Sequence, residues 1–425
     1  MNVLITLMTL MIMLHKVILS KIKLSFERKI NKNVPINEYI EELIWNNIIT
    51  KLNVGSLLKE INFSIRLQDY PLVLIGENTN TNYEKYNSKI SSTYKKINDN
   101  NFISSFTFYS NFTLSEELFK IEKTFNLKFL LTNEIDTNEG IKEIGIIGLG
   151  IQDPTLNHKI IEETNLIYQL KKLNLISSNI FTIKYISENK GEIIIGDKNL
   201  IEYDNEKNYE GFNFIKTEME NGNFIWSFQI NNISISNQIL DNDIKIKLIL
   251  ELGVIKPNYI ILDYLKKNYF NQLINENKCF INKTKDSLDY FYYCNKNIDI
   301  KKFPEIKFYI KNYQMEFVLD YNDLIVEYEN IYFFLIIFRY YPQGFEVGFP
   351  FIKKLYLCFD LNRKFIGIFK YGKKKFHIKI VLIFCGCVII IILLFIYFYI
   401  FRKERRKNKI YEIEDTYDYI PGKLL

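Results

Sequence analysis

The chain has 425 residues, of which 48% are apolar and 16% aromatic, enough to bury a sizeable core in two lobes or domains. Its formal net charge of +6 gathers in Lys373–Lys375 and in the tail after residue 401, and the charge between the ends is nearly balanced. A nucleic-acid binder carries a basic face within its folded part, so that class is set aside.

In chain order, the first segment is Met1–Ser20, MNVLITLMTLMIMLHKVILS. Its apolar stretch from Val3 to Leu14 suits a secretory signal. From about residue 50 to 370, short apolar runs broken by Asn, Gly and Lys predict strands, among them INFSIRL, PLVLIG, FISSFTFYS, NIFTIKYI, GEIIIG, KIKLILELG and EFVLDY. Within this region Gly145–Pro154, GIIGLGIQDP, packs its glycines as G-x-x-G-x-G. A nucleotide loop would read G-x-G-x-x-G or end in Lys-Ser or Lys-Thr. Asp153 would also repel a phosphate, so the glycines are read as packing glycines. Helical periodicity appears at Leu166–Leu173 and at Asn258–Ile274, the latter opened by Pro257. Many strands and few helices predict a mostly-β body.

Cys279 and Cys294 flank a short polar loop and can close a local disulfide in an oxidising compartment. Cys358 lies in an apolar run and is expected to be a buried free thiol. Four N-x-[ST] sequons stand at Asn62, Asn111, Asn232 and Asn282. Ile380–Phe401 is uncharged and long enough to cross a bilayer as a helix, and the basic cluster from Arg402 to Lys407 marks its cytoplasmic side. The expectation is a type I protein of the secretory pathway or cell surface, with a lumenal or extracellular body and a cytoplasmic tail at 402–425. His158 and His377 are the histidines beyond the signal, which argues against a Ser-His-Asp triad or a His-based zinc site. No cofactor or metal is expected.

The order of several segments resembles the pepsin-like aspartic peptidases. Tyr86–Ile97, YNSKISSTYKKI, is similar to that family's segment ending in S-S-T-[YF]. GIIGLG is followed by a helix, a strand entry and GEIIIGD, as in the family. Trp226 opens WSFQINNISI, and FPEIKFYI at Phe303–Ile310 resembles the family's L-P-x-I-x-F strand. LYLCFDLNRKFIGI at Leu355–Ile368 resembles its closing strands. The resemblance covers about residues 45–370. It implies two mostly-β lobes around a central cleft, with an N-terminal lobe at 48–200 and a C-terminal lobe at 201–372. It also implies a pro-segment-like region at 21–47, whose Arg28, Lys29 and Lys32 would pair with the catalytic dyad in an active zymogen.

The family's chemistry needs two Asp side chains sharing one proton, each in a D-[TS]-G turn. Aligned on FSIRL, the first turn reads Gln68-Asp69-Tyr70, and the second reads Glu251-Leu252-Gly253. Gln has no titratable proton, and both hydroxyl braces are missing. A one-residue slip would offer Asp69 as the acid but would put Pro71 at the glycine position. Phe108 falls at the family's lid tyrosine with Tyr109 beside it, and no glycine occurs between Gly76 and Gly140 to form the usual lid tip. The implied reading is a membrane-anchored homologue without catalysis that binds an extended peptide or a partner protein in its cleft. The alternatives are an aspartic endopeptidase using Asp69 and Glu251, and a surface glycoprotein with a vestigial cleft.

Overall fold

The computed structural model describes residues 21–369 apart from 32, 46–47, 78–84, 103–108, 136–144, 152–162, 197–211, 218, 221–222, 285–288, 311–312 and 340–343, together with 396 and 399–402. Residues 1–370 form one compact unit and residues 371–425 another. In the second unit only a few helical positions around 399–402 are described. The predicted span Ile380–Phe401 therefore lies almost wholly outside the described residues. Among those described, no helix is long and apolar enough to cross a membrane.

The larger unit is mostly β, built from sheets of thirteen, six and five strands with one small hairpin, an architecture consistent with the pepsin-like fold. Three strands drawn from the second half of the sequence, Phe212–Lys216, Tyr356–Asp360 and Phe365–Phe369, join the thirteen-stranded sheet of the first half. Trp226 fastens the halves further. Its ring is buried against Phe181 and Phe359, and its indole N–H donates to the carbonyl of Leu149, so the polar end of a large apolar side chain is satisfied.

The first described strand, β1 (Ile22–Arg28), runs antiparallel to Lys190–Ile195 and touches Ile48–Val54 on its other side. Its side chains alternate inward and outward, so Ile22, Leu24, Phe26 and Arg28 all point into the core. Helix α1 (Ile36–Ile44) follows. Its apolar face carries Tyr39, Ile40, Leu43 and Ile44, the spacing that puts four side chains on one side of a helix. That face packs on Leu252, Val254, Phe291, Phe333, Leu335 and Ile337. Neither β1 nor α1 is among the elements read from periodicity above.

The two predicted helices are present. Leu166–Lys172 forms α2, capped by the Asn165 side chain, which accepts from the N–H groups of Ile167 and Tyr168. Tyr259–Asn275 is helical throughout but contains a π turn at Lys266–Phe270. Cys279 and Cys294 are disulfide-bonded across neighbouring strands, and Cys358 is a buried free thiol.

Candidate functional site

The two turns singled out in the sequence are held by equivalent frameworks. In the first, strand β2 (Lys59–Arg66) leads into Gln68–Tyr70, and β3 (Leu72–Ile75) leads out. A later strand, β4 (Gly145–Gly148), lies between them, parallel to β2 and antiparallel to β3, with Ile147 opposite both Ile65 and Leu72. In the second, β5 (Gln238–Leu248) leads into Glu251–Gly253 and β6 (Ile255–Lys256) leads out. Strand β7 (Phe345–Val347) lies between them, with Val347 opposite Leu248 and Ile255.

Backbone hydrogen bonds repeat the match. The N–H of Gly148 donates to Pro71 and that of Gly150 to Asp69. The N–H of Gly348 donates to Val254 and that of Phe349 to Leu252. This register sets Ile65 against Leu248, Asp69 against Leu252 and Leu72 against Ile255, and therefore Gln68 against Glu251. The glycines have a shared purpose: a Cβ on Gly148 would fall 2.5 Å from the Tyr70 backbone, and one on Gly348 would fall 2.0 Å from the Leu252 carbonyl. GIIGLG is thus the cradle of the first turn.

The side chains on these frameworks differ. The two turns meet where the Gln68 N–H donates a long hydrogen bond, 3.5 Å, to Glu251 Oε1. Glu251 Oε2 is buried with no hydrogen-bond partner. Burial pushes the Glu251 carboxyl up to about 7; Arg66 pulls against that shift and Asp69 adds to it. Burial also pushes Asp69 up, against the pull of Arg66. Arg66 Nη1 lies 3.4 Å from Asp69 Oδ2, so the Asp69 carboxylate is engaged by the guanidinium three residues upstream, at the end of β2. Arg66 escaped the sequence reading because nothing in an alternating strand marks one polar position as the partner of the next turn.

The second turn is covered by the N-terminal segment. The Gly253 N–H donates to the Ile44 carbonyl at 2.7 Å, Trp45 forms a β-bridge with Leu252, and a Cβ on Gly253 would lie 1.8 Å from the Leu43 carbonyl oxygen. The C-terminal end of α1 therefore rests on the turn that bears Glu251. Tyr328 adds a hydrogen bond to the Val34 carbonyl and stacks on Tyr39. Arg28 lies over the Phe349 ring, 3.7 Å from its centre, instead of forming an ion pair with Glu251.

Phe108 lies outside the described residues, and Tyr109 begins a strand, Tyr109–Lys120, that pairs with Thr124–Ile135. Asn62 and Asn232 are half-buried within paired strands, Asn282 is exposed on the edge strand Cys279–Lys283, and Asn111 lies on Tyr109–Lys120. Among the described residues no cluster of three His, Cys, Asp or Glu side chains could hold a metal ion.

The family model for eukaryotic aspartyl protease matches residues 73–371, well over half of the chain. The match takes in Glu251–Gly253 and begins just after Gln68–Tyr70. No curated protein matches the chain.

Proposed function

This chain belongs to the eukaryotic aspartyl protease family, and from that premise we propose that it is a membrane-anchored member that does not hydrolyse peptides and uses its cleft for binding. The observation that carries the reading is the backbone register that places Gln68 opposite Glu251. General acid–base activation of a water between two carboxyls needs one proton shared by the pair. An amide supplies no such proton, and Asp69, the nearest acid, stands at the position of Leu252 and is held by Arg66. The second turn is already covered by the chain's own helix α1 and Trp45. An extended peptide or a partner protein would reach the same surface by displacing them, through main-chain bonds with pockets for alternate side chains.

The secretory signal at 1–20, the span at 380–401 and the four sequons support a type I glycoprotein with its body outside the cytosol. A second reading, an endopeptidase built on Asp69 and Glu251, is favoured by one observation: burial shifts both carboxyls upward, and Asp69 adds to the shift of Glu251.

The test is the purified full-length chain incubated with a denatured general protein substrate from about pH 3 to 7. No cleavage is expected, and none after Gln68→Asp alone, because Arg66 and Leu252 remain. Cleavage by the unaltered protein that disappears in Glu251→Gln would overturn the binding reading and establish the endopeptidase.

A further inference from the structure

We propose that a cavity at the seam between the thirteen-stranded and six-stranded sheets is a binding site for a neutral hexose. The cavity has a volume of about 350 Å³, and none of the residues lining it belongs to either turn.

Its floor follows from strand register. Strand Ser227–Ile235 is paired on both sides, to β5 and to Ile306–Ile310. The pairs Ile230–Ile244 and Asn232–Asn242 put Asn231 opposite Asp243, and the pair Asn232–Tyr309 puts it opposite Ile310. Three neighbouring strands thus set Asp243, Asn231 and Ile310 side by side. Gln229 stands two residues before Asn231, on the same face, and its Nε2 donates to the Asp243 carbonyl at 3.4 Å. The facing wall is Phe212–Lys216, the outermost strand of the thirteen-stranded sheet. The Tyr313 hydroxyl donates to the Phe214 carbonyl on that strand, so the Tyr313 ring spans the gap. Lys216 and its cross-strand partner Phe365 complete the lining.

This lining selects by chemistry. Lys216 and Asp243 carry opposite charges, and neither is in a salt bridge among the described residues. Lys364 stands close enough for Lys216 to repel it, but it does not line the cavity. The lining itself therefore has no net charge and favours a neutral ligand over an ion. An ammonium only donates, a carboxylate only accepts, and the two amides do both. A ligand that satisfies all of them must donate and accept from adjacent atoms, as the vicinal hydroxyls of a sugar do. Ile310, Ile215 and Phe365 add apolar surface for the C–H face of the ring. Ligand pockets of about 300–1,000 Å³ combine apolar walls with a few placed polar groups, and this cavity lies at the small end of that range.

The backbone marks the same place. Asp243 has a φ of +52° in the middle of a paired strand, and the ladder keeps one register on either side of it. Asp adopts that left-handed conformation more readily than most residues, and glycine adopts it without strain. A strained acid on the wall of a cavity points to a use for its carboxylate. The site is independent of whether the cleft binds or cleaves peptide.

The test is ligand-observed saturation-transfer NMR on the full-length chain, held in a detergent without a sugar headgroup. The probes are glucose, galactose, mannose and N-acetylglucosamine, with phenylalanine as a zwitterion and acetate as an anion. Saturable binding of at least one of the sugars is expected, undisturbed by phenylalanine or acetate. Asp243→Gly relieves the backbone, so it should not lower Tm, yet it should weaken sugar binding about tenfold or more. Gln229→Ala, at an exposed position, should weaken binding severalfold with Tm unchanged. Absence of saturable binding by all four sugars would overturn the proposal. So would sugar binding undiminished in both variants, or displacement of the sugar by phenylalanine or acetate.

Discussion

The first and second turns share a backbone and almost nothing else. Both are cradled by a strand that runs parallel to the incoming arm and antiparallel to the outgoing one, and both are held by a glycine whose Cβ would strike the turn. On that common frame, the first turn presents an exposed amide and a carboxylate paired with arginine. The second presents a buried carboxyl beneath a helix. The difference separates two demands that the family's D-[TS]-G turn normally meets together. Framework contacts are made by main-chain atoms and survive changes of side chain. The shared-proton chemistry depends on one side-chain type at each turn and is lost with a single replacement.

The sharpest way to break the comparison is to substitute the residues that occupy equivalent places, Tyr70 and Gly253. Gly253→Ala drives a methyl into the Leu43 carbonyl oxygen and should cost at least about 3 kcal/mol. It should also lift α1, seen as rapid proteolysis within residues 30–47. Tyr70→Ala, at the turn on which α1 does not rest, should cost about 1 kcal/mol and leave the segment protected. Equal effects on protection would mean that α1 is not anchored through the second turn.

A second test uses pH. The Glu251 carboxyl is raised from 4.5 to about 7 on folding. Below pH 4.5 it is protonated in both folded and unfolded chains and makes no difference to stability. Between pH 4.5 and 7 the unfolded chain releases this proton while the folded chain keeps it, so stability falls as pH rises. The loss is at most about 3 kcal/mol and levels off above pH 7. Glu251→Gln should remove this slope from denaturant midpoints measured across the window, and Gln68→Glu should not reproduce it at the exposed first turn. A slope that persists in Glu251→Gln would assign the titration to another group.

The smaller of the two effects expected on the pH profile is that of Arg66→Leu. It removes the pull on Asp69 and Glu251 together, so the falling limb of the stability profile should extend above pH 7, with a cost near neutral pH of about 2 kcal/mol. An unchanged profile would show that Arg66 is too solvated to influence either carboxyl.

Much of this was legible in the sequence because it rests on pattern. Alternation marked the strands, Pro257 marked the opening of the long helix, and the alignment on FSIRL placed the first turn. The π turn at Lys266–Phe270 was not legible, since its residues keep the helical run of apolar and polar positions. Helix α1 has a readable apolar face in Tyr39, Ile40, Leu43 and Ile44, but its seat on Leu252 and Val254 is a tertiary contact more than 200 residues away in sequence. Arg28 is the instructive case. Composition rules put arginine outside, and only the strand register, counted from Ile22, puts it inside.

The position of β1 also sets a timetable. Ile22 pairs with Ile195, so the strand made first receives its main partner only after well over 150 further residues have been synthesised. At about 5–20 residues per second, translation leaves β1 waiting roughly ten to thirty seconds. Meanwhile the strand pairing available to it is the short one of Glu27 and Arg28 with Ile49 and Ile48, beside the Thr50 hydroxyl on the Ser25 carbonyl. The sheet that fastens the chain's beginning is therefore closed late, by a strand emerging from the ribosome after the whole first turn and its glycine cradle have been laid down.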